Sequence, residues 1–207
     1  MEVEFGKVTS IFRGYTYEQI REAARVLLEG HIVKNMEITL NSEGAFDIIK
    51  KISDEFSDRL NVGAGTVLTF EGLKQAYQAG ASFVLSPDMM SEQMLAFCKE
   101  NHIVSVPGAY SPSEIRALFN RGADIVKVFP ANELSHSYAR KVCEPLGDLP
   151  LMAVGGVNAQ TVAAVFEGGY KYAGSAGGIF KKADLLAQNH AALRASLDEF
   201  ESHIPSL

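Results

Sequence analysis

Cysteine is scarce in this chain: two among 207 residues, Cys98 and Cys143, far apart and with neither a CxxC partner nor a His pair nearby. That spacing points away from a zinc site and from a disulfide framework, and suits a reducing cytoplasm. Lys/Arg-dense runs are also missing, and with a formal net charge of -6 the chain offers little to a nucleic-acid backbone. No apolar run approaches the ~20 residues of a membrane span. The segment Met1 to Lys7 alternates acidic and apolar residues and has neither the basic start nor the apolar stretch of a signal peptide. A soluble, cytoplasmic protein without nucleic-acid or membrane partners is expected. The histidines His31, His102, His136, His190 and His203 lack metal-ligand spacing, so neither metal nor cofactor is expected. No linker or composition break divides the chain, and 1–207 reads as a single domain, long enough for a substantial core.

What the sequence does contain is a rhythm. Short β-branched runs alternate with longer amphipathic stretches, separated by a few Gly, Pro, Ser or Asn residues. The expected strands are Val8 to Phe12, Asn35 to Leu40, Asn61 to Val67, Phe83 to Pro87, Val104 to Ala109, Ile125 to Pro130, Leu151 to Val157 and Tyr172 to Gly174. Helices are expected to begin near Tyr17, Glu43, Phe70, Ser91, Pro112, Leu134, Ala159 and Ala183, and the stretch Leu185 to Phe200 reads as a final amphipathic helix. Ser111 before Pro112 has the pattern of an N-cap with proline at the first helical position, and Thr69 and Asn158 suit caps as well. Gly30, Gly80, Gly122 and Gly168 sit where a left-handed helix end is commonly needed. The pattern is α/β and suits a single (β/α)8 TIM barrel, although an open doubly wound sheet alternates in the same way.

Parallel strands covered on both faces are expected to be almost wholly apolar, which makes the charged exceptions informative. In Asn35 to Leu40 the alternation of side chains puts Glu37 and Thr39 on one face, and in Ile125 to Pro130 it puts Lys127 and Phe129 on one face. Burial lowers the pKa of a lysine, and the neutral amine is the form that attacks a carbonyl. Glu37, if it faces Lys127 across a barrel, can shuttle protons; a structural Lys-Glu ion pair between strands is the alternative. Gly155-Gly156 and Gly174-Ser175 end the last two strands, where barrels often bind phosphate on backbone N–H groups, although glycines also serve plain tight turns. Gly63-Ala64-Gly65-Thr66 offers small residues and a hydroxyl to a substrate carboxylate, and Arg13 is the nearest guanidinium for an anion, or else a solvated loop residue. Lys34 and Lys171 flank strand starts and are expected at the opposite end.

Taken in order, Glu37-Ile38-Thr39-Leu40, Gly63-Ala64-Gly65-Thr66-Val67, Ser86-Pro87, Val106-Pro107-Gly108, Lys127-Val128-Phe129-Pro130-Ala131 and Gly155-Gly156-Val157 resemble the 2-keto-3-deoxy-6-phosphogluconate and 4-hydroxy-2-oxoglutarate aldolases nearly end to end. The resemblance implies a trimeric (β/α)8 barrel, a metal-free class I aldolase, with Lys127 forming the imine and Glu37 the acid/base. It implies further that Thr66 and its neighbour Gly65 bind the pyruvate carboxylate, that Pro87 and Phe129 shape the pocket, and that Gly155, Gly156, Gly174 and Ser175 hold phosphate. Two departures bear on the substrate. Asn41 stands where many gluconate-type members carry an arginine, with Arg13 as the expected replacement, and Val154 stands where they carry a threonine. Both are similar to the 2-keto-3-deoxy-6-phosphogalactonate branch, and Val154 would discriminate at C4 through a missing hydroxyl contact. The stretch Asn132 to His136 lacks the glycine those members usually show. The expected substrate is a phosphorylated keto sugar acid of either type, cleaved to pyruvate and glyceraldehyde 3-phosphate. A sugar-phosphate isomerase or epimerase, or a non-catalytic sugar-phosphate binding protein, are the competing readings.

Overall fold

Every strand pairing is parallel, and the chain alternates strand and helix from end to end. The computed structural model describes residues 4–205. In order, these form β1 (Val8–Phe12), α1 (Tyr17–Glu29), β2 (Val33–Thr39), α2 (Ala45–Phe56), β3 (Asn61–Gly65), α3 (Phe70–Gln78), β4 (Phe83–Leu85), α4 (Glu92–Glu100) and β5 (Val104–Val106). There follow β6 (Gly108–Ala109), α5 (Pro112–Asn120), β7 (Val126–Val128), a 3-10 turn (Ala131–Glu133), α6 (Tyr138–Leu146), β8 (Leu151–Val154), α7 (Val162–Glu167), β9 (Tyr172–Ser175), α8 (Lys182–Leu186) and α9 (His190–Ser202). The sheet order is β5-β4-β3-β2-β1-β9-β8-β7-β6.

The expected strand Val104 to Ala109 is a single barrel stave broken at Pro107, which has no N–H to give to a ladder. Its first half, β5, pairs with β4, and its second half, β6, pairs with β7. Ile125 N–H donates to Ser105 O at 3.1 Å and Lys127 N–H to Pro107 O at 2.9 Å, so the hydrogen bonding runs through the break. The sheet therefore closes into a barrel, and the open-sheet alternative falls away.

Alternation along the strands sorts the side chains into two cores. Ile11, Phe83, Leu85, Val106, Ile125, Met152 and Val154 fill the barrel interior, while the larger cluster that includes Met36, Ile38, Val126 and Val128 lies between strands and helices. At the end where the strands start, Asn35 links the staves by accepting from Gly6 N–H at 2.9 Å and from Asn61 Nδ2 at 2.9 Å. Below it the Phe5 ring packs edge-on against Phe83 at 5.2 Å. The interior is thus plugged at one end and open at the other.

The helix ends depart from expectation in instructive ways. Ser111 and Thr69 accept from the N–H groups of Glu114 and Gly72, as their caps require. Gly80 and Gly122 are left-handed, whereas Gly30 and Gly168 are not. Gly30 is extended and is needed because a Cβ there would lie 2.7 Å from Leu197 Cδ2; the left-handed turn after α7 falls on Gly169 instead. The helix expected from Leu134 is delayed to Tyr138 by the 3-10 turn, and the one expected from Ala159 starts at Val162, after Asn158 Oδ1 accepts from the N–H groups of Gln160 and Thr161. The expected tail helix is two helices, broken at Gln188 with φ 49 and restarted by the Asn189 cap. Among the described residues, no helix is long and apolar enough to cross a membrane.

Candidate active site

At the open end, the loops leaving the strands enclose a cavity of about 400 Å³. Its charged lining is Arg13, Glu37 and Lys127. β7 delivers Lys127 from the interior face, 6% exposed, with Phe129 two residues on; the ammonium stands 5.0 Å from the centre of that ring. β2 delivers Glu37 in the same way, 3% exposed. Gly65 is the reason it fits, since a Cβ on Gly65 would lie 1.4 Å from Glu37 Oε1. Gly63 serves Phe83 similarly, with the ring 2.5 Å from where its Cβ would be. The small residues of β3 therefore make room for interior side chains, and of Gly63-Ala64-Gly65-Thr66 only Thr66 lines the cavity, held at φ 55.

Among the described residues Glu37 makes no ion pair with Lys127, and Glu37 Oε2 is buried with no hydrogen-bond partner. The strand-tying ion pair is therefore not what this pair forms. Burial pushes the Glu37 carboxyl up to about 7, against the opposing pull of the Lys127 and Arg13 charges. Burial likewise pulls Lys127 below the usual lysine value; Arg13 pushes the same way, and Glu37 and Asp88 oppose it. The result is an amine that gives up its proton more readily than a free lysine, in one cavity with a carboxyl that both holds and yields a proton near neutrality.

The far side of the cavity is glycine-rich. Gly155 and Gly156, with φ of 113 and 70, follow β8, and Ala176, Gly177 and Gly178 follow β9; Val157 and Asn158 complete this side. The backbone N–H groups of Gly156, Val157, Ala176 and Gly177 have no acceptor among the described residues. Backbone N–H groups left without acceptors on two adjacent loops that line one cavity suit an anion. Ser175 is not part of this surface: its hydroxyl donates to Val157 O at 2.6 Å and accepts from Gly178 N–H at 3.1 Å, tying the two loops together. Gly174 does not line the cavity either; it leaves space for Val154 Cγ2, which would lie 2.9 Å from a Cβ there.

Of the residues singled out in the sequence, the cavity gathers Arg13, Glu37, Thr66, Pro87, Lys127, Phe129, Val154, Gly155 and Gly156. Gly65 stands behind Glu37, Gly174 and Ser175 stand behind the glycine loops, and Asn41 is exposed and outside the lining. Ile11, Val157 and Asn158 are lining residues that sequence reasoning missed. Period-two alternation from Lys127 and Glu37 marks interior positions on their own strands only, and Ile11 carries no polar signal. Lys34, whose Nζ donates to Gly30 O at 2.6 Å, belongs to the closed end, as expected.

A family model described as KDPG and KHG aldolase matches residues 2–194. The chain is 34% identical over 152 residues to a 2-dehydro-3-deoxy-phosphogluconate aldolase of Treponema pallidum, covering 72% of this chain and 71% of that protein. It is 31% identical over 150 residues to a probable 2-dehydro-3-deoxy-6-phosphogalactonate aldolase of Rhizobium meliloti, covering 72% and 70%. Such alignments span from 58% to 71% of the length of the first curated relatives. Among solved structures, a native KDPGal structure superposes with a TM-score of 0.84 over 98% of each chain at 22% identity. A KDPG aldolase of Legionella pneumophila, with pyruvate captured as a covalent carbinolamine, superposes with a TM-score of 0.81 over 93% of this chain and 92% of that one at 21% identity. The chain belongs to the KDPG and KHG aldolase family of carbon–carbon lyases.

Proposed function

We propose that this chain is a class I aldolase that cleaves a 2-keto-3-deoxy-6-phospho sugar acid to pyruvate and glyceraldehyde 3-phosphate, with Lys127 as the imine-forming nucleophile. The observation that carries it is the pairing, in one cavity, of a buried lysine of lowered pKa with a buried carboxyl held at about 7 and left without a hydrogen-bond partner.

Neutral Lys127 Nζ adds to the C2 ketone, and the carbinolamine takes a proton from the Glu37 carboxyl and loses water to give a protonated imine, leaving Glu37 as carboxylate. Glu37 takes the C4 hydroxyl proton, directly or through a water, while the C3–C4 electron pair moves into the imine as an enamine. The aldehyde leaves, Glu37 returns its proton to C3, and water hydrolyses the pyruvate imine. Arg13 and Thr66 attract the substrate carboxylate, Pro87 and Phe129 bound the reacting carbons, and the free N–H groups beside Gly156 and Gly177 take the phosphate. Gly65, Gly174 and Ser175 support this site from behind, and Asn41 is left without a substrate contact. No cofactor takes part in these steps.

Incubation with pyruvate and sodium borohydride, read by mass spectrometry, tests the reading. A permanent mass gain on the wild type, lost in Lys127→Ala, is the expected result. No adduct on folded wild-type protein would transfer the case to a sugar-phosphate isomerase or a binding protein.

Val154 favours the galactonate epimer. Its side chain lines the cavity with no hydroxyl to offer at C4, where gluconate-type relatives are expected to carry a threonine. Competition between the two epimers should show a higher kcat/KM for the galactonate form, and Val154→Thr should shift the ratio towards gluconate.

The working unit we propose is a single domain assembled as a homotrimer in the cytoplasm. Exposed Tyr77 packs edge-on against Phe97, which packs edge-on against Phe70, an apolar cluster suited to self-association. The unpaired thiols of Cys98 and Cys143 suit a reducing compartment. Sedimentation equilibrium reads the trimer directly, and a monomer at micromolar concentration would remove it.

A further inference from the structure

Behind the Gly155-Gly156 turn lies a second cavity of about 120 Å³, lined among others by Asn132, His136, Thr161 and Tyr170. The two glycines are the residues it shares with the substrate cavity, so this turn is the wall between them. The Tyr170 hydroxyl, from a residue lining this cavity, is buried with no hydrogen-bond partner among the described residues. Both glycines have positive φ and no side chain of their own to pack. What touches the turn from behind is Asn132: a Cβ on Gly155 would lie 2.6 Å from its Oδ1, and one on Gly156 would lie 2.8 Å from its Cβ. Asn132 is itself held by donating from Nδ2 to Glu133 Oε1 at 2.9 Å. On the other flank Thr161 Oγ1 donates to Gly156 O at 2.9 Å, which occupies that carbonyl and fixes the turn from a second side.

We propose that Asn132 is a positioning residue for the substrate's distal anion: by backing the Gly155-Gly156 turn it keeps the unpaired N–H groups of Gly156 and Val157 aimed into the cavity. The loop after the lysine strand thereby sets affinity for the distal phosphate, separately from imine chemistry at Lys127. Truncation at this position enlarges the second cavity and lets the turn retreat into it, and a sub-ångström retreat of preorganised donors is enough to weaken anion binding. Because Asn132 is exposed on its outer side, its truncation removes little burial and leaves the fold intact.

The test rests on the aldolase reading for its kinetics and on inorganic phosphate alone for its binding arm. In Asn132→Ala, the dissociation constant for inorganic phosphate, measured by calorimetric titration, should rise roughly ten-fold, and KM for the phosphorylated keto acid should rise with it. Its kcat and its borohydride trapping with pyruvate, which carries no distal anion, should match the wild type. Unchanged phosphate affinity overturns the proposal, as does phosphate binding by neither protein, and so does a loss of trapping in step with KM. A wild type that traps no pyruvate would sink the aldolase reading instead, while the phosphate titration would still decide the role of Asn132.

Discussion

Glu37 carries the sharpest consequence at the scale of single residues. An unfolded glutamate titrates at 4.5 and the folded one at about 7, so between those values the fold holds a proton that the unfolded chain has released. The folded state is therefore favoured most below the lower value, and the advantage is lost as pH rises through the higher one, a swing on the order of 3 kcal/mol. Glu37→Gln abolishes this titration. Thermal melts should show the wild type losing stability between pH 5 and pH 8 relative to the variant, and the variant as the more stable protein at pH 8. The same substitution should lower kcat by about 10²–10⁴, the usual size of general acid–base catalysis. Parallel melting curves across that range would mean that Glu37 ionises freely in the fold. The polar character of Glu37 and Lys127 was legible because alternation on a covered strand exposes any charge as an exception. The role of Gly65 was not, because the side chain it makes room for, Glu37, belongs to another strand, where its ladder partner is Gly63.

Among the elements, β3 and α5 give separable predictions. Gly65→Ala places a methyl where Glu37 Oε1 now lies, so the carboxylate must leave the cavity. Activity should fall at least as far as in Glu37→Gln, with the far-UV circular dichroism of a folded barrel retained; an active Gly65→Ala enzyme would show that Glu37 needs no fixed place. The start of α5 is closed by a reciprocal pair, Ser111 with Glu114, and carries Pro112 at its first turn. Ser111→Ala should cost about 1 kcal/mol in denaturant unfolding and leave kcat untouched, since the helix lies outside the cavity lining. The Ser111 cap was readable from Ser111 and Pro112 because its partners are local; the reciprocal contact from Glu114 came from the structure. The break at Pro107 was not, since a proline inside an apolar run shows a missing donor but not which neighbour the two halves then choose.

For the molecule as a whole, closure brings the last helix back onto the first. His190 at the start of α9 sits between two carboxylates of α1, 2.7 Å from Glu22 Oε1 and 3.1 Å from Glu29 Oε1. The hydrogen bond to Glu22, with the charges of both glutamates, raises the His190 pKa against a smaller desolvation cost. A raised histidine stabilises the fold fully below its unfolded value of 6.5, and that contribution fades as pH climbs through the folded value. His190→Ala should therefore lower the melting temperature at pH 5.5 and leave it unchanged at pH 9. An equal loss at both values would assign His190 a packing role. At the other end of α9 the Glu201 carboxylate accepts from the N–H groups of His31, Ile32 and Val33, anchoring the helix to the start of β2.

The sequence alone determined the alternation of strand and helix, the faces that Glu37 and Lys127 occupy, and the family motifs. Each of these depends on periods of two and 3.6 or on runs of a few residues, which the local chain dictates. Tertiary structure decided that the sheet closes through a stave broken at Pro107, and that Asn41 stays outside the cavity while Asn158 enters it. It also decided that the Ser175 hydroxyl is taken by Val157 O and that Gly65 holds space for a carboxylate. Those outcomes depend on which strands meet across the barrel and what each side chain finds there, and contacts between residues far apart in the chain leave no period in the sequence to read.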